Sequence, residues 1–274
     1  MLANAQPALP RVSFWRTFWT NAVIAPRTTL GFMRVDMVLG TTFIIPLTQM
    51  VFFVFVVEVG GGGPAEIAFT ALGNAVATVT YSSIFSVCQT TDSEKHQGTM
   101  EHLLVTPTNR LALYFGRGLI PILLSLATVT VGIIYAVLLF GVHIAPATYP
   151  ALALSVVLTA FAMVGFGLLL GGVALYLRTS IILANIFLFI GLLLSGVNFP
   201  ASQLPAPLVW IGYGFPLTWG LDAVRASVAG DPTGVVGLYW IAVALSAAAS
   251  YGLAIGLWEI FERRALATGS IARY

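Results

Sequence analysis

Long stretches without a charged residue divide this chain into apolar segments. Asp36 and Glu58 enclose 21 uncharged residues, and Glu66 and Asp92 enclose 25. Further uncharged stretches of 60, 43 and 27 residues lie at 118–177, 179–221 and 232–258. A helix needs about 20 apolar residues to cross the hydrocarbon core of a membrane. Each stretch is therefore long enough for at least one membrane span.

The pattern predicts six transmembrane helices. The 60-residue stretch holds two of them, because the turn residues of 141–150 divide it. The glycine-rich residues 60–63 form a turn between the first two spans. The predicted spans are about 37–57, 67–91, 118–142, 150–177, 179–199 and 235–258.

Residues 200–221 are also apolar, but four prolines interrupt them. Each proline removes a backbone donor, and a lipid-exposed helix cannot leave the freed carbonyl unsatisfied. The segment is therefore either a seventh span or a re-entrant element. Six spans place 11 of the 12 basic residues on one side, whereas seven spans place only nine there. The positive-inside rule thus favours six spans, cytoplasmic termini and an outer re-entrant element at 200–221.

The composition supports this assignment and excludes other classes of protein. Hydrophobic residues make up 58% of the 274 residues and charged residues only 8%, and the mean hydropathy is +0.95. Soluble domains carry about 25% charged residues. A cytosolic enzyme, a disordered chain and a basic nucleic-acid-binding module are excluded, so no nucleic acid partner is expected. The fold class is an all-α integral membrane protein.

The two ends of the chain carry most of the arginines. Residues 1–36 mix arginine with tryptophan and phenylalanine and lack the cleavage site of a signal peptide. This mixture predicts a helix lying along the inner membrane surface, with a loosely ordered lead-in as the alternative. The transmembrane domain then covers 37–258, and 259–274 form a cytoplasmic tail.

The chain holds no motif for catalysis by itself. Its only lysine, Lys95, does not stand in a phosphate-binding loop of the GxxxxGK[ST] type. His96 and His102 flank Glu101 without the HExxH spacing, so no metal is expected. No span contains Asp, Glu, Lys or Arg, which disfavours an ion-coupled carrier without excluding it. An intramembrane lipid-processing enzyme is a third reading, for which no nucleophile–base pair is evident.

The loop after the second span predicts a short helix with two faces. Thr91 and Glu94 match a capping box, so we expect the helix to begin there and to occupy about 92–105. Thr106-Pro107 would end it. One face holds Glu94, Gly98 and Glu101, and another holds Met100, Leu103 and Leu104. These residues alone leave open whether the helix caps the bundle or docks a soluble partner.

This loop resembles the motif of the type-2 ABC exporter permeases. The matching positions are Glu94, Gly98, Thr99, Glu101, Leu103, Leu104, Thr106 and Pro107. Residues 195–230 are similar to the late outer segment of the family, with Pro-Leu-Thr at 216–218 and Asp-Ala-x-Arg at 222–225. The resemblance covers nearly the whole chain, and it is greater to the drug- and antibiotic-efflux branch.

The resemblance implies a transport subunit that is not an enzyme and holds no cofactor. Two copies of a separate ATP-binding subunit would carry ATP and Mg, and a second permease subunit, identical or related, would complete the pathway. The protein would lie in a prokaryotic cytoplasmic membrane. The helix at 92–105 would couple to the ATPase through Glu94, Gly98, Thr99, Met100, Glu101, Leu103, Leu104 and Pro107.

The resemblance also implies that spans two and five face the substrate. The residues that would line the pathway are Asn74, Thr78, Tyr81 and Phe85 on span two, Asn185 and Phe189 on span five, and Gln49 on span one. Hydrogen bonding between helices is the alternative role for their polar groups. Spans without charge predict a lipophilic or amphipathic cargo, such as a drug, an antibiotic or a membrane lipid. A lipid-linked glycan or polysaccharide is the alternative cargo.

Two pairs of glycines at four-residue spacing predict close helix packing. They are Gly167 with Gly171, and Gly252 with Gly256. Because glycine lets two helices approach closely, both pairs are expected to pack against a neighbouring helix rather than to bind a ligand.

Overall fold

The computed structural model describes residues 39–96, 110–174 and 180–268, with a few positions between 13 and 20. At the ends of some helices only the backbone path is described. Within these residues the chain is helical and contains no strand, which confirms the all-α class. The helices are α1 (Gly40–Val59), α2 (Pro64–His96), α3 (Arg110–Phe140), α4 (Tyr149–Ala174), α5 (Ser180–Leu194), α6 (Ala206–Gly212), α7 (Pro216–Ala229) and α8 (Thr233–Thr268).

Five of these helices are long and apolar enough to cross a membrane, namely α1, α2, α3, α4 and α8. They match five of the six predicted spans, but α2, α3 and α8 run further than the apolar stretches. The turns fall where the glycines predict them. Gly61 has a φ of 82° between α1 and α2, and Gly141 has a φ of 67° between α3 and α4.

The fifth predicted span, 179–199, is shorter in the structure. Helix α5 ends at Leu194, and its 15 residues extend roughly 22 Å at 1.5 Å per residue. The helix ends because Gly196 takes up a φ of 72°, which turns the chain out of the helical path. Residues 175–179 lie outside the described residues, so six full spans stay a prediction.

The proline-rich segment 200–221 forms no helix long enough to span. Its residues make a single 3-10 turn, the seven-residue helix α6 and the first turns of α7. Helix α7 packs between α4 and α8. Trp240 donates its Nε1–H to Ser155 Oγ at 2.8 Å, and the hydroxyls of Ser155 and Ser227 lie 2.9 Å apart. The placement of this segment relative to a membrane stays a prediction.

The predicted helix start at Thr91 is wrong. Helix α2 runs without a break from Pro64 to His96, so Thr91 lies inside it. A capping residue needs a non-helical backbone, which a residue within a continuous helix does not have. Residues 97–109 hold most of the predicted coupling helix and lie outside the described residues. So do most of 1–36 and the end of the tail, 269–274.

Helices α2 and α4 form the centre of the bundle. In the most apolar stretch of α2, 78% of the residues are buried by the rest of the chain, and in α4 67% are. The corresponding share is 22% in α1 and 28% in α3 and in α8. The outer helices therefore present large apolar side chains outward, as expected for a bundle that is surrounded by lipid or by other membrane chains.

The two glycine pairs behave differently. A Cβ on Gly167 would lie 2.9 Å from the carbonyl oxygen of Ser83, so the predicted close packing of Gly167 is confirmed. Gly252 and Gly256 have no neighbouring atom within 4 Å of such a Cβ. This second pair therefore packs closely against no helix among the described residues of the chain, and its packing against a neighbouring chain stays a prediction.

Candidate transport pathway and the Arg225 joint

The polar positions of α2 face protein rather than the surface of the chain. Thr70, Asn74 and Thr78 are buried, and Tyr81 and Phe85 are half-buried. A buried polar group needs a hydrogen-bond partner, so the partners of these side chains indicate their role. We call this row of positions on α2 the polar stripe. Thr78 satisfies its hydroxyl within its own helix, donating to the carbonyl of Ala75 at 2.7 Å.

Asn74 is the centre of an amide chain that joins three segments. Gln49 on α1 donates its Nε2–H to Asn74 Oδ1 at 3.1 Å. Asn74 in turn donates from Nδ2 to Asn198 Oδ1 at 2.7 Å and to the carbonyl of Thr70 at 2.9 Å. The hydroxyl of Thr70 donates to the carbonyl of Asn198 at 3.3 Å. The structure thus brings Gln49 and Asn74 together, and their amides make contacts between segments.

The aromatic pathway residues lie further along α2 and on α5. The rings of Tyr81 and Phe85 stack with centroids 4.5 Å apart. On α5, Phe189 is 66% exposed, and Asn185 donates to the carbonyl of Ile181 one turn earlier at 2.9 Å. Phe189 therefore points away from the interior of this single chain, toward whatever surrounds it.

Arg225 on α7 lies against the same end of α2. Its Nη1 donates to the carbonyl of Gly196 at 2.9 Å, and its Nη2 donates to the carbonyls of Val197 at 3.0 Å and Phe69 at 3.4 Å. The guanidinium carbon also lies 3.5 Å from the centre of the Phe69 ring, a cation–π distance. One side chain thus connects α7, α2 and the segment that follows α5.

We call this region the Arg225 joint; it consists of Phe69, Thr70, Gly73, Asn74, residues 196–198 and Arg225. Gly73 allows residues 196–198 and the Arg225 side chain to pack closely against α2. A Cβ on Gly73 would lie 2.7 Å from Arg225 Nη2 and closer still to the carbonyl oxygen of Val197. All three carbonyls of 196–198 accept a hydrogen bond from a side chain on α2 or α7.

Burial dominates the electrostatics of the two charges on α7. It lowers the pKa of the Arg225 guanidinium to about 10, and the nearby Asp222 carboxylate acts in the opposite direction. Burial also raises the pKa of Asp222, which the charge of Arg225 partly offsets. Arg225 remains protonated at neutral pH. Its fork of donors suits several carbonyl acceptors at once.

Helices α2 and α3 contact each other through small and hydroxyl-bearing residues. The hydroxyls of Ser83 and Ser125 lie 2.9 Å apart, and those of Ser82 and Thr128 lie 3.0 Å apart. Further along, a Cβ on Gly132 would lie 2.9 Å from the Cα of Ala75. The two helices that flank the loop at 97–109 are therefore closely packed to one another.

Of the predicted ATPase-coupling residues, only Glu94 lies within the described residues. Glu94 lies in the last turn of α2, with its backbone in helical conformation. Gly98, Thr99, Met100, Glu101, Leu103, Leu104 and Pro107 fall outside the described residues. Among the residues that the structure describes, no cluster of His, Cys, Asp or Glu could hold a metal ion.

A cavity of about 500 Å³ lies away from the predicted pathway residues, between α3, the turn after it and α4. The buried side chains of Val142, Leu152 and Val156 line it, and so do His143 and Tyr149. None of the predicted pathway residues lines it. The position of this cavity therefore does not identify the transport pathway within a single chain.

Sequence reasoning missed most residues of the joint, among them Asn198 and Arg225. Asn198 had no signal beyond its polarity, since its partners lie more than a hundred residues earlier. Arg225 did carry a signal, because it is the one basic residue that the six-span arrangement leaves on the outer side. A lone cation next to a long apolar segment needs buried acceptors, and the structure supplies three carbonyls.

Five helices long and apolar enough to cross a membrane are typical of a multi-pass membrane protein. Residues 21–228 match the family model described as the ABC-2 type transporter. The chain belongs to this membrane family and is a transmembrane component of an ABC transporter, a permease subunit that is not itself catalytic. Such permeases generally work with an ATP-binding subunit. No curated protein gives a significant match to the chain.

Proposed function

We propose that this chain is the permease subunit of an ATP-driven exporter of a lipophilic or amphipathic molecule, such as a drug, an antibiotic or a lipid-like compound. The observation that carries the proposal is family membership over 21–228. The pathway positions add support, because their side chains are amides, hydroxyls and aromatic rings without a charge. Such walls suit an amphipathic molecule better than a bare ion.

We infer that two such chains form the pathway in a prokaryotic cytoplasmic membrane, with both termini inside. Phe189 is available to a second chain, because its ring is exposed on the surface of this one, where membrane lipid is the alternative neighbour. Tyr81 and Phe85 are only half-buried within one chain, which leaves part of their rings for cargo or for the second subunit. Asn74, Thr78, Asn185 and Gln49 complete the proposed lining.

We infer that coupling runs through the loop that follows α2. Helix α2 leads directly to His96, and the proposed coupling residues follow from Glu94 onward. A separate ATPase, present in two copies and carrying ATP and Mg, would push on this loop. The hydroxyl pairs of Ser83 with Ser125 and Ser82 with Thr128 would carry the movement into α2 and α3 together.

Co-isolation tests the proposal first. The tagged chain, purified from its native membrane in mild detergent, is expected to bring down a soluble ATP-binding subunit. The reconstituted complex should hydrolyse ATP faster with some members of a panel of lipophilic compounds. If no ATPase accompanies the chain and no compound changes hydrolysis, the proposal is contradicted. Stimulation by glycolipids alone would favour the lipid-linked glycan alternative.

Charge reversal at Glu101 tests the coupling loop. We expect Glu101→Arg to abolish ATP-dependent export while insertion and expression stay unchanged, because the acidic side chain would no longer pair with a basic surface of the ATPase. Glu259→Arg is the matched control, since it reverses the charge of an exposed residue on α8. Export and ATPase stimulation that survive Glu101→Arg would place the coupling surface elsewhere.

A further inference from the structure

The end of α2 near Pro64 is held by one charged side chain. Arg225 donates to the carbonyls of Gly196 and Val197 and also reaches Phe69 on α2. Residues 196–198 follow α5 directly, so the same contacts fix the end of α5 to α2. These two helices correspond to the second and fifth predicted spans.

We propose that Arg225 is a positioning residue for transport: its guanidinium holds residues 196–198 against α2, and this contact opens and closes within the transport cycle. The inference rests on the proposed function, since the cycle is that of an ATP-driven exporter. The donors of Arg225 are directed at backbone carbonyls of the chain itself. In this proposal Arg225 therefore acts through the two helices that it joins.

Three features suit Arg225 to a contact that can release. Its acceptors are backbone carbonyls, which are weaker partners than a carboxylate. Its Nε is buried and has no hydrogen-bond partner within the described chain, so the guanidinium is not fully satisfied. Gly73 places no side-chain atoms beneath the carbonyl of Val197, so no side chain at position 73 of α2 has to move when this contact opens.

Val197 offers a direct report of opening. Its side chain is 0% exposed while its carbonyl accepts the bond from Arg225, so Val197→Cys leaves the contact itself in place. In a background with Cys88→Ala, a maleimide reagent would label Val197→Cys only when the segment lifts. Val129→Cys is the matched control, because Val129 is also 0% exposed but lies on α3, which contributes no residue to the joint.

Labelling is measured on the intact complex in lipid nanodiscs, with and without ATP. We expect ATP turnover to speed the labelling of Val197→Cys and to leave Val129→Cys unlabelled. Arg225→Met should raise the ATP-free rate roughly tenfold or more, the effect of losing a hydrogen bond from a charged donor. Arg225→Lys should fall between wild type and Arg225→Met, because an ammonium cannot hold both carbonyls in the same fork.

Gly73→Ala provides a second variant that keeps the charge. The added Cβ would push the carbonyl of Val197 away, so we expect faster labelling of Val197→Cys here too. Wild-type labelling that ATP turnover does not change would overturn the inference, and so would unchanged labelling in both Arg225→Met and Gly73→Ala. Equal labelling of Val129→Cys in these variants would also overturn it, because Arg225 would then stabilise the whole fold.

The outcomes separate this inference from the proposed function. If ATP hydrolysis is coupled to a lipophilic compound but labelling at position 197 does not respond, the exporter function stands and the releasing contact is refuted. If no ATPase binds the chain, the exporter function fails. The ATP-free labelling of the variants then shows only whether Arg225 holds the segment, and the role in a transport cycle is refuted with the function.

Discussion

Helix α2 has two dissimilar interfaces. Toward α3 it presents small residues and hydroxyls, with Ala75 beside Gly132 and Ser83 beside Ser125. Toward the Arg225 joint it presents the amide of Asn74 and a backbone carbonyl to side chains and a segment far along the chain. One interface is a close-packed seam, and the other is a set of strong directional hydrogen bonds.

The two interfaces differ in how easily a contact is replaced. A hydroxyl can turn back to its own helix, as the Thr128 hydroxyl does toward the carbonyl of Ser125 at 3.0 Å. Such helices can shift without leaving a buried polar group unpaired. A displaced guanidinium or amide leaves several groups unpaired at once, which costs more. A small relative shift of α2 and α3 therefore costs little, whereas opening the Arg225 joint requires a larger input of free energy.

Breaking the joint at its amide should give the largest loss of stability. We expect Asn74→Leu to lower the free energy of unfolding by about 2–3 kcal/mol, because the half-buried amides of Gln49 and Asn198 both lose their partner. Thermal unfolding in detergent measures the change. Thr78→Val is the matched control, since its hydroxyl bonds only within α2, and a comparable loss there would contradict the difference between the interfaces.

Filling the seam should have the next largest effect. Gly132→Ala is expected to cost about 1–3 kcal/mol, because its Cβ meets the backbone of Ala75 and not a flexible side chain. Gly252→Ala is the control on the open side of α8, where an alanine should be neutral or slightly stabilising. A destabilising Gly252→Ala, measured by thermal unfolding at several protein concentrations, would indicate that a second chain packs there.

Removing one hydroxyl pair from the seam should matter less. A double-mutant cycle with Ser83→Ala and Ser125→Ala is expected to give a coupling energy of about 0.6 kcal/mol, typical of hydrogen bonds between membrane helices. Unfolding of the two single variants and the double variant in detergent measures it. A coupling energy near the value expected for Asn74→Leu, about 2–3 kcal/mol, would contradict the difference between the two interfaces.

Neutralising Asp222 should give the smallest change and a defined pH dependence. A raised folded-state pKa means that this carboxyl stabilises the fold below its unfolded pKa of 3.8, and that the contribution is lost as the pH rises through the folded pKa. Asp222→Asn should thus match wild type at acidic pH and exceed it slightly at neutral pH, within about 0.5 kcal/mol. A destabilised variant at neutral pH would contradict the assigned direction.

Much of the bundle could be predicted because membrane thickness fixes the length of a span. The charge-free stretches located α1, α2, α3, α4 and α8. Helix ends were less predictable, since α2 and α8 continue past the apolar stretch into polar sequence where hydropathy gives no boundary. The end of α5 depended on the left-handed backbone at Gly196, one of many glycines in the chain.

The polar stripe of α2 was predictable as a set, but its partners were not. Spacing placed Asn74, Thr78, Tyr81 and Phe85 near one face, and the structure buries or half-buries all four. The acceptors of Arg225 are backbone carbonyls, which every residue has, so sequence cannot single them out. The role of each pathway and coupling residue in transport stays a prediction.

The long sequence separation in the Arg225 joint has a consequence for how the protein is made. The Ser83–Ser125 contact closes a loop of 42 residues, whereas Arg225 reaches back 156 residues to Phe69 and Asn74 reaches forward 124 to Asn198. Closing the longer loops costs more chain entropy and requires α7 to have been synthesised. The α2–α3 hairpin can therefore assemble early in the membrane. The buried amide of Asn74 can pair with Asn198 only later in biogenesis, after residue 198 has been synthesised.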